Sequence, residues 1–151
     1  MSYATQIPAN EGLRTFTGSK HNGPTVQATR IFERLAIRRR ERGAQGVIDF
    51  LIKSFDARQT RRYYMPDGSI MHAEVHIDDT VVMIAYGADD NPAFPIWLHV
   101  YVPDVDTSYR RALEAGGLPV DEPKQREGDP DRRAGVKDPA GNTWWIATQY
   151  S

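Results

Sequence analysis

Three of the four histidines fall in two short stretches where chemically capable residues recur at every second position. His72, Glu74 and His76 form one such set, and Trp97, His99 and Tyr101 form the other. Side chains two residues apart on an extended strand share a face, so each set projects from one side of its own strand. Imidazoles exchange protons near neutral pH, and a carboxylate beside one can tune it. Indole and phenol rings add apolar area with a polar edge. Trp144-Trp145, also adjacent in a strand-like run, places one indole on each face. A plainer reading stands beside this: alternating polar residues are the usual solvated side of an antiparallel strand, and aromatics fill cores and interfaces. Elsewhere no Ser/His/Asp arrangement, phosphate-cradling glycine loop or HExxH pattern stands out.

The elements that must position these residues repeat. Val47, Phe50, Leu51, Ser54 and Phe55 follow helical spacing. Strand-like runs follow over Arg58–Met65, Ile70–Ile77 and Thr80–Tyr86, with Pro66-Asp67-Gly68 as a turn between the first two. Ile96–Val102 then alternates as a strand. Asp106–Ala115 reads as a helix with Val105, Tyr109, Ala112 and Leu113 buried and Asp106 placed to cap it, before Gly116-Gly117 and three further strand-like runs. Glu122–Asp131 is charged, contains Pro and Gly, and reads as a surface loop. The expectation is an α+β fold of paired βαβββ modules forming a cupped mixed sheet, with the helices on its convex side. Met71, Ala73, Val75 and Ile77 should face the first helix, leaving Ile70, His72, Glu74 and His76 on the open face. Likewise Ile96, Leu98, Val100 and Val102 should face the second helix.

Residues 1–24 are polar and read as a tail or arm. The first module is placed at 25–88, a linker at 89–95, and the second module at 96–151. Residues 25–42 start irregularly: Val26, Ala28, Ile31, Phe32, Leu35, Ala36 and Ile37 fit helical spacing at least as well as strand alternation, although the repeat requires a strand there.

The totals exclude several classes. Nineteen basic and 20 acidic residues give a formal net charge of −1, which offers no electrostatic footprint for nucleic acid or an anionic membrane. Arg38-Arg39-Arg40-Glu41-Arg42 is a local exception that reads as a solvated helix end or loop. The absence of cysteine removes disulfides, thiol nucleophiles and thiolate metal sites. No apolar run reaches membrane-spanning length, so a cytoplasmic location is the expectation.

Taken together, Gly46-Val47-Ile48-Asp49-Phe50 into Phe55-Asp56-Ala57, Met65–Glu74, Leu98–Asp106 and the closing Asp138-Pro139-x-Gly141 resemble the glyoxalase/bleomycin-resistance/extradiol dioxygenase (vicinal oxygen chelate) superfamily. The resemblance implies paired βαβββ modules, often a dimer, and sometimes a metal in the cup. Its activities range from glyoxalase and dioxygenase chemistry to metal-free drug sequestration, so fold alone does not choose a function. The family's metal ligands usually come from the first and last strands of each module. Carried over, those positions are Trp97, Trp145, and Val82 or Met83, while the fourth falls in the stretch 25–42 that does not align. Indoles, aliphatic groups and a thioether do not suit Mg, Mn or Fe(II). His72 and His76 lie roughly 13 Å apart along a strand, too far to share an ion without a bend. A set of one of these histidines with Glu74 and His99 requires the two strands to cross closely.

The expected function is therefore metal-independent binding of an aromatic or amphipathic small molecule, with no cofactor. Trp97, Tyr101, His76, Trp145 and Ile70 would contact the ligand. The first alternative is an enzyme, a lyase, isomerase or oxygenase, using His99, His72 and Glu74 as acid/base groups. The second is a macromolecular interaction module working through the N-terminal region. The expected partners are the small molecule and a second copy of the chain, with neither nucleic acid nor membrane.

Overall fold

A computed structural model describes residues 32–35, 43–86 and 94–150, the first of these stretches by its backbone. The polar arm at 1–24, the basic run Arg38–Arg42 and most of the linker at 89–95 lie outside the described residues.

Two four-stranded sheets share one topology. In the first, β1 (Phe32–Leu35), α1 (Ala44–Phe55), β2 (Arg58–Tyr64), β3 (Ile70–Ile77) and β4 (Thr80–Tyr86) give the strand order β1-β4-β3-β2. In the second, β5 (Trp97–Tyr101), α2 (Val105–Glu114), β6 (Leu118–Gln125), β7 (Asp131–Lys137) and β8 (Thr143–Gln149) give β5-β8-β7-β6. The last three strands of each unit form an antiparallel meander, and the first pairs in parallel with the last. A parallel pair needs a long crossover, which the helix and meander together supply. The result is the doubled βαβββ arrangement, an α+β fold with open, cupped sheets. Within the ambiguous stretch 25–42, the strand required by the repeat is Phe32–Leu35, held by pairing with β4 rather than by its own apolar pattern.

Each helix packs its apolar stripe on one face of its sheet. Val47, Ile48, Phe50, Leu51 and Phe55 of α1 are buried, as are Ala73, Val75 and Ile77 of β3. The alternation fails at the start of β3, where Met71 is exposed and Ile70 packs against the core. The β2–β3 register shifts between Tyr63 and Tyr64, just opposite.

The modules meet through their helices, α1 against α2. Phe55 lies 5.5 Å from the Trp144 ring, and Arg111 of α2 donates two hydrogen bonds, 2.9 and 2.6 Å, to the Asp56 carboxylate just beyond α1. The α2 cap differs from expectation. Asp104, not Asp106, accepts from the Asp106 backbone N–H and the Thr107 hydroxyl. Asp106 is free to bind Arg132 instead, through two hydrogen bonds of 2.8 Å. The expected loop at Glu122–Asp131 is also shorter than the sequence suggests, because β6 continues to Gln125. No helix among the described residues is long and apolar enough to cross a membrane.

Candidate functional site

The helices cover one face of each sheet, and the candidate residues stand on the other. On the second sheet the register sets them in rows. Trp97, His99 and Tyr101 of β5 lie opposite Thr143, Trp145 and Ala147 of β8, and Gly135 and Arg133 of β7 lie opposite Trp145 and Ala147. Trp144 turns inward and is buried, while Trp145 stays partly exposed on the open face. The doublet thus divides between core and site, as strand alternation requires.

Trp97 is 75% exposed, with its ring 5.9 Å from that of Trp145 in an edge-on arrangement. Next along the strand, the rings of His99 and Tyr101 meet edge-on at 4.8 Å. The Tyr101 hydroxyl donates a 2.7 Å hydrogen bond to Oδ2 of Asp131. Arg133 reaches the same oxygen at 3.2 Å and Asp129 Oδ1 at 3.2 Å. The Asp131 side chain is only 4% exposed, and its other oxygen, Oδ1, has no hydrogen-bond partner among the described residues. A row of aromatic rings therefore ends in a partly buried polar corner.

The electrostatics of that corner follow from these contacts. Loss of water around His99 lowers its pKa below 6.5, the nearby Arg133 cation lowers it further, and Asp131 opposes both. His99 is consequently an uncharged imidazole at neutral pH. The hydrogen bond to Asp131 raises the Tyr101 pKa above 10, helped by burial and by the Asp131 charge. Tyr101 therefore keeps its proton and commits it to Asp131.

On the first sheet, His72, Glu74 and His76 of β3 share the face opposite α1, as the spacing requires, and all three are half-buried. The His72 ring lies tilted 6.1 Å from that of Tyr63, and its Nε2 lies 3.7 Å from Glu74. Arg61 approaches the same carboxylate at 3.7 Å. Both separations exceed a hydrogen bond, so these are loose contacts on a partly wet surface. His76 sits between Arg58 and Val81 in the pairing register. Ile70, at the start of the same strand, is partly buried and packs against the core.

The structure brings His99, Tyr101, Trp97 and Trp145 together, and separately His72 with Glu74. Among the described residues no hydrogen bond, ion pair or ring contact links the two groups, which stand on different sheets. No group of three or more histidine or carboxylate side chains able to hold a metal occurs among the described residues. The positions carried over from the family pattern present two indoles, with the thioether of Met83 on the open face and Val82 turned into the core. Those positions do not suit Mg, Mn or Fe(II), and the fourth falls in the stretch 25–42 that does not align.

Asp131, Arg133 and Gly135 escape a motif search because they fall at the boundary of what reads as a charged loop. Their alternate spacing is the usable signal: extended into β7, it puts all three on the face that carries Trp145 and Tyr101. Asp138, by contrast, serves the scaffold. Its buried carboxylate accepts from the backbone of Ala140 and Asn142, the Asn142 side chain and the Trp144 indole. The turn expected at Asp138-Pro139-Ala140-Gly141 is thereby closed, and Asn142 in turn accepts from the Ile96 N–H at the start of β5.

Comparison with known proteins agrees with this architecture. The sequence profile described as the Glyoxalase/Bleomycin resistance protein/Dioxygenase superfamily matches residues 37–146. The uncharacterized protein Mb0911c of Mycobacterium bovis is 34% identical over 115 residues, spanning 67% of this chain and 73% of the relative. Rv0887c of Mycobacterium tuberculosis, also uncharacterized, is 34% identical over 115 residues and is covered over 65% of its length. Among solved structures, TioX from Micromonospora sp. ML1 superposes with a TM-score of 0.61 at 22% identity, covering 81% of this chain and 99% of TioX. A glyoxalase-related enzyme from Fulvimarina pelagi gives a TM-score of 0.61 at 17% identity, covering 82% and 89%. At these identities the structural likeness shows the fold alone.

Proposed function

The chain belongs to the Glyoxalase/Bleomycin resistance protein/Dioxygenase superfamily, and on that premise we propose that it binds an aromatic or amphipathic small molecule on the open face of its second sheet, without a metal. The observation that carries this reading is the state of Trp97. A tryptophan 75% exposed beside a second, partly exposed indole is a large apolar surface that the described residues leave uncovered. A planar ligand over Trp97 and Trp145 would cover it, with His99 and Tyr101 meeting its polar edge. The donor set at the family's metal positions supports the metal-free form of this reading.

Replacing Trp97 with Ala tests it. Quenching of intrinsic fluorescence by a panel of aromatic compounds should show saturable binding to the unsubstituted chain, and Trp97→Ala should weaken it at least about tenfold, the scale of losing one stacked aromatic. Unchanged affinity in a folded Trp97→Ala variant would defeat the proposal.

A second copy of the chain is part of the reading. His72 and Glu74 stand on a different sheet from His99, so a dimer could set one copy's first sheet against the other's second. Sedimentation equilibrium tests this, and a monomer at ligand-binding concentrations would remove that part. The enzymatic alternative rests on His99 itself, an accessible imidazole held uncharged and so able to accept a proton at neutral pH.

A further inference from the structure

The polar end of the aromatic face has a direction. Tyr101 spends its single O–H on Asp131 at 2.7 Å. What it can offer a ligand is the lone-pair side of its oxygen, so Tyr101 accepts and does not donate. Behind it, two carboxylates, Asp129 and Asp131, share one guanidinium, Arg133. Among the described residues nothing donates to Asp131 Oδ1, so there the demand of this buried carboxylate for donors is unmet. His99 adds no compensating positive charge, being uncharged at neutral pH. The other cations nearby in sequence are engaged elsewhere: Arg132 on Asp106, Lys124 and Arg126 on Asp121.

Resting on the aromatic-face reading, we infer that the Tyr101–Asp131 pair is its specificity element and selects aromatic ligands that carry an N–H or O–H donor on a side chain, arylalkyl ammonium ions above all, over arylalkyl carboxylates. An ammonium or hydroxyl near Tyr101 meets an acceptor backed by an excess of negative charge. A ligand carboxylate there meets lone pairs facing lone pairs, while Nη2 of Arg133 is already shared by two carboxylates and its unpaired Nε is buried out of a ligand's reach. Stacking on Trp97 and Trp145 holds the ring whatever its substituent, so this corner sets the order of affinities and the indoles set the overall scale.

Three matched nitroaromatic quenchers test the inference: 2-(4-nitrophenyl)ethylamine, 2-(4-nitrophenyl)ethanol and 3-(4-nitrophenyl)propionate. Their affinities for the full chain are measured at pH 7.5 by tryptophan quenching. The amine should bind at least about tenfold more tightly than the carboxylate, the scale of a hydrogen bond to a charged group, with the alcohol between them. Tyr101→Phe should reduce that ratio to about threefold or less, mainly by weakening the amine. Asp131→Asn should reduce it in the same direction while keeping an oxygen for the Tyr101 hydroxyl, and it serves if Tyr101→Phe does not fold. Equal or tighter binding of the carboxylate overturns the inference, as does an amine preference that survives both substitutions. Failure of the parent reading looks different: none of the three probes binds, or all bind equally well to Trp97→Ala, and the inference falls with it.

Discussion

The indole of Trp145 lies flat enough on Gly135 that a methyl group there would sit 2.8 Å from its Cζ3. The two residues face each other across the β7–β8 pair. Gly135 is thus the floor on which the site's inner indole rests, and its missing side chain sets how deep that ring sits in the open face. The close approach comes from the absence of a Cβ, since no positive φ is recorded at this position.

Gly135→Ala should therefore act on the site more than on the fold. Trp145 must lift or turn away. Such overpacking typically costs about 1–3 kcal/mol, which urea unfolding can measure. Aromatic-ligand affinity should fall with it, and the near-ultraviolet circular dichroism of the indoles should change. A variant with unaltered spectrum and affinity would show that the ring does not need this floor.

Asp138 should matter far more to stability than any residue of the polar corner. Asp138→Ala strands the Trp144 indole N–H and the donors of Asn142 inside the core. A loss of at least about 2 kcal/mol is expected, since each buried group left unpaired costs on the order of 1–3 kcal/mol. Asp138→Asn should lose less, because one oxygen still accepts while its amide faces existing donors. Denaturation midpoints of the two variants, ordered as stated, check this; equal midpoints contradict it.

Much of this was legible because periodicity reports burial directly. The stripes Val47–Phe55 and Val105–Leu113 marked both helices, and the alternation of Leu98 and Val100 against Trp97 and His99 assigned the faces of β5. Three things resisted. Phe32–Leu35 is a strand because β4 offers it a parallel partner, and no residue within it records that distant pairing. Met71 is exposed and Ile70 packs against the core where the β2–β3 register shifts, which the alternation of β3 itself cannot reveal. The Tyr101–Asp131 bond joins residues 30 apart through strand order β5-β8-β7, so it becomes visible only when register is known.

The exchange between Asp104 and Asp106 gives a separable pair of substitutions. Asp104→Ala removes the side-chain acceptor at the start of α2 and should cost about 1 kcal/mol, the usual value of an N-cap. Asp106→Ala removes an exposed pairing with Arg132 and should change stability less. Thermal unfolding of both variants decides the order. If Asp106→Ala proves the more damaging, the cap assignment is wrong.

His99 gives the site a sign in its pH response. Its folded-state pKa lies below 6.5, because partial burial and Arg133 both disfavour the imidazolium. The unfolded chain therefore binds the proton more readily. This contribution to stability is complete above about pH 6.5 and is lost as the pH falls from there through the folded-state value. Two-dimensional NMR of the imidazole carbons should place the His99 midpoint below 6.5. Arg133→Gln should move it upward, since the substitution removes the cation and leaves Asp131 to favour the charged form. A midpoint at or above 6.5 in the unsubstituted chain, or a downward move in Arg133→Gln, would show that this imidazole is not held neutral by the corner it faces.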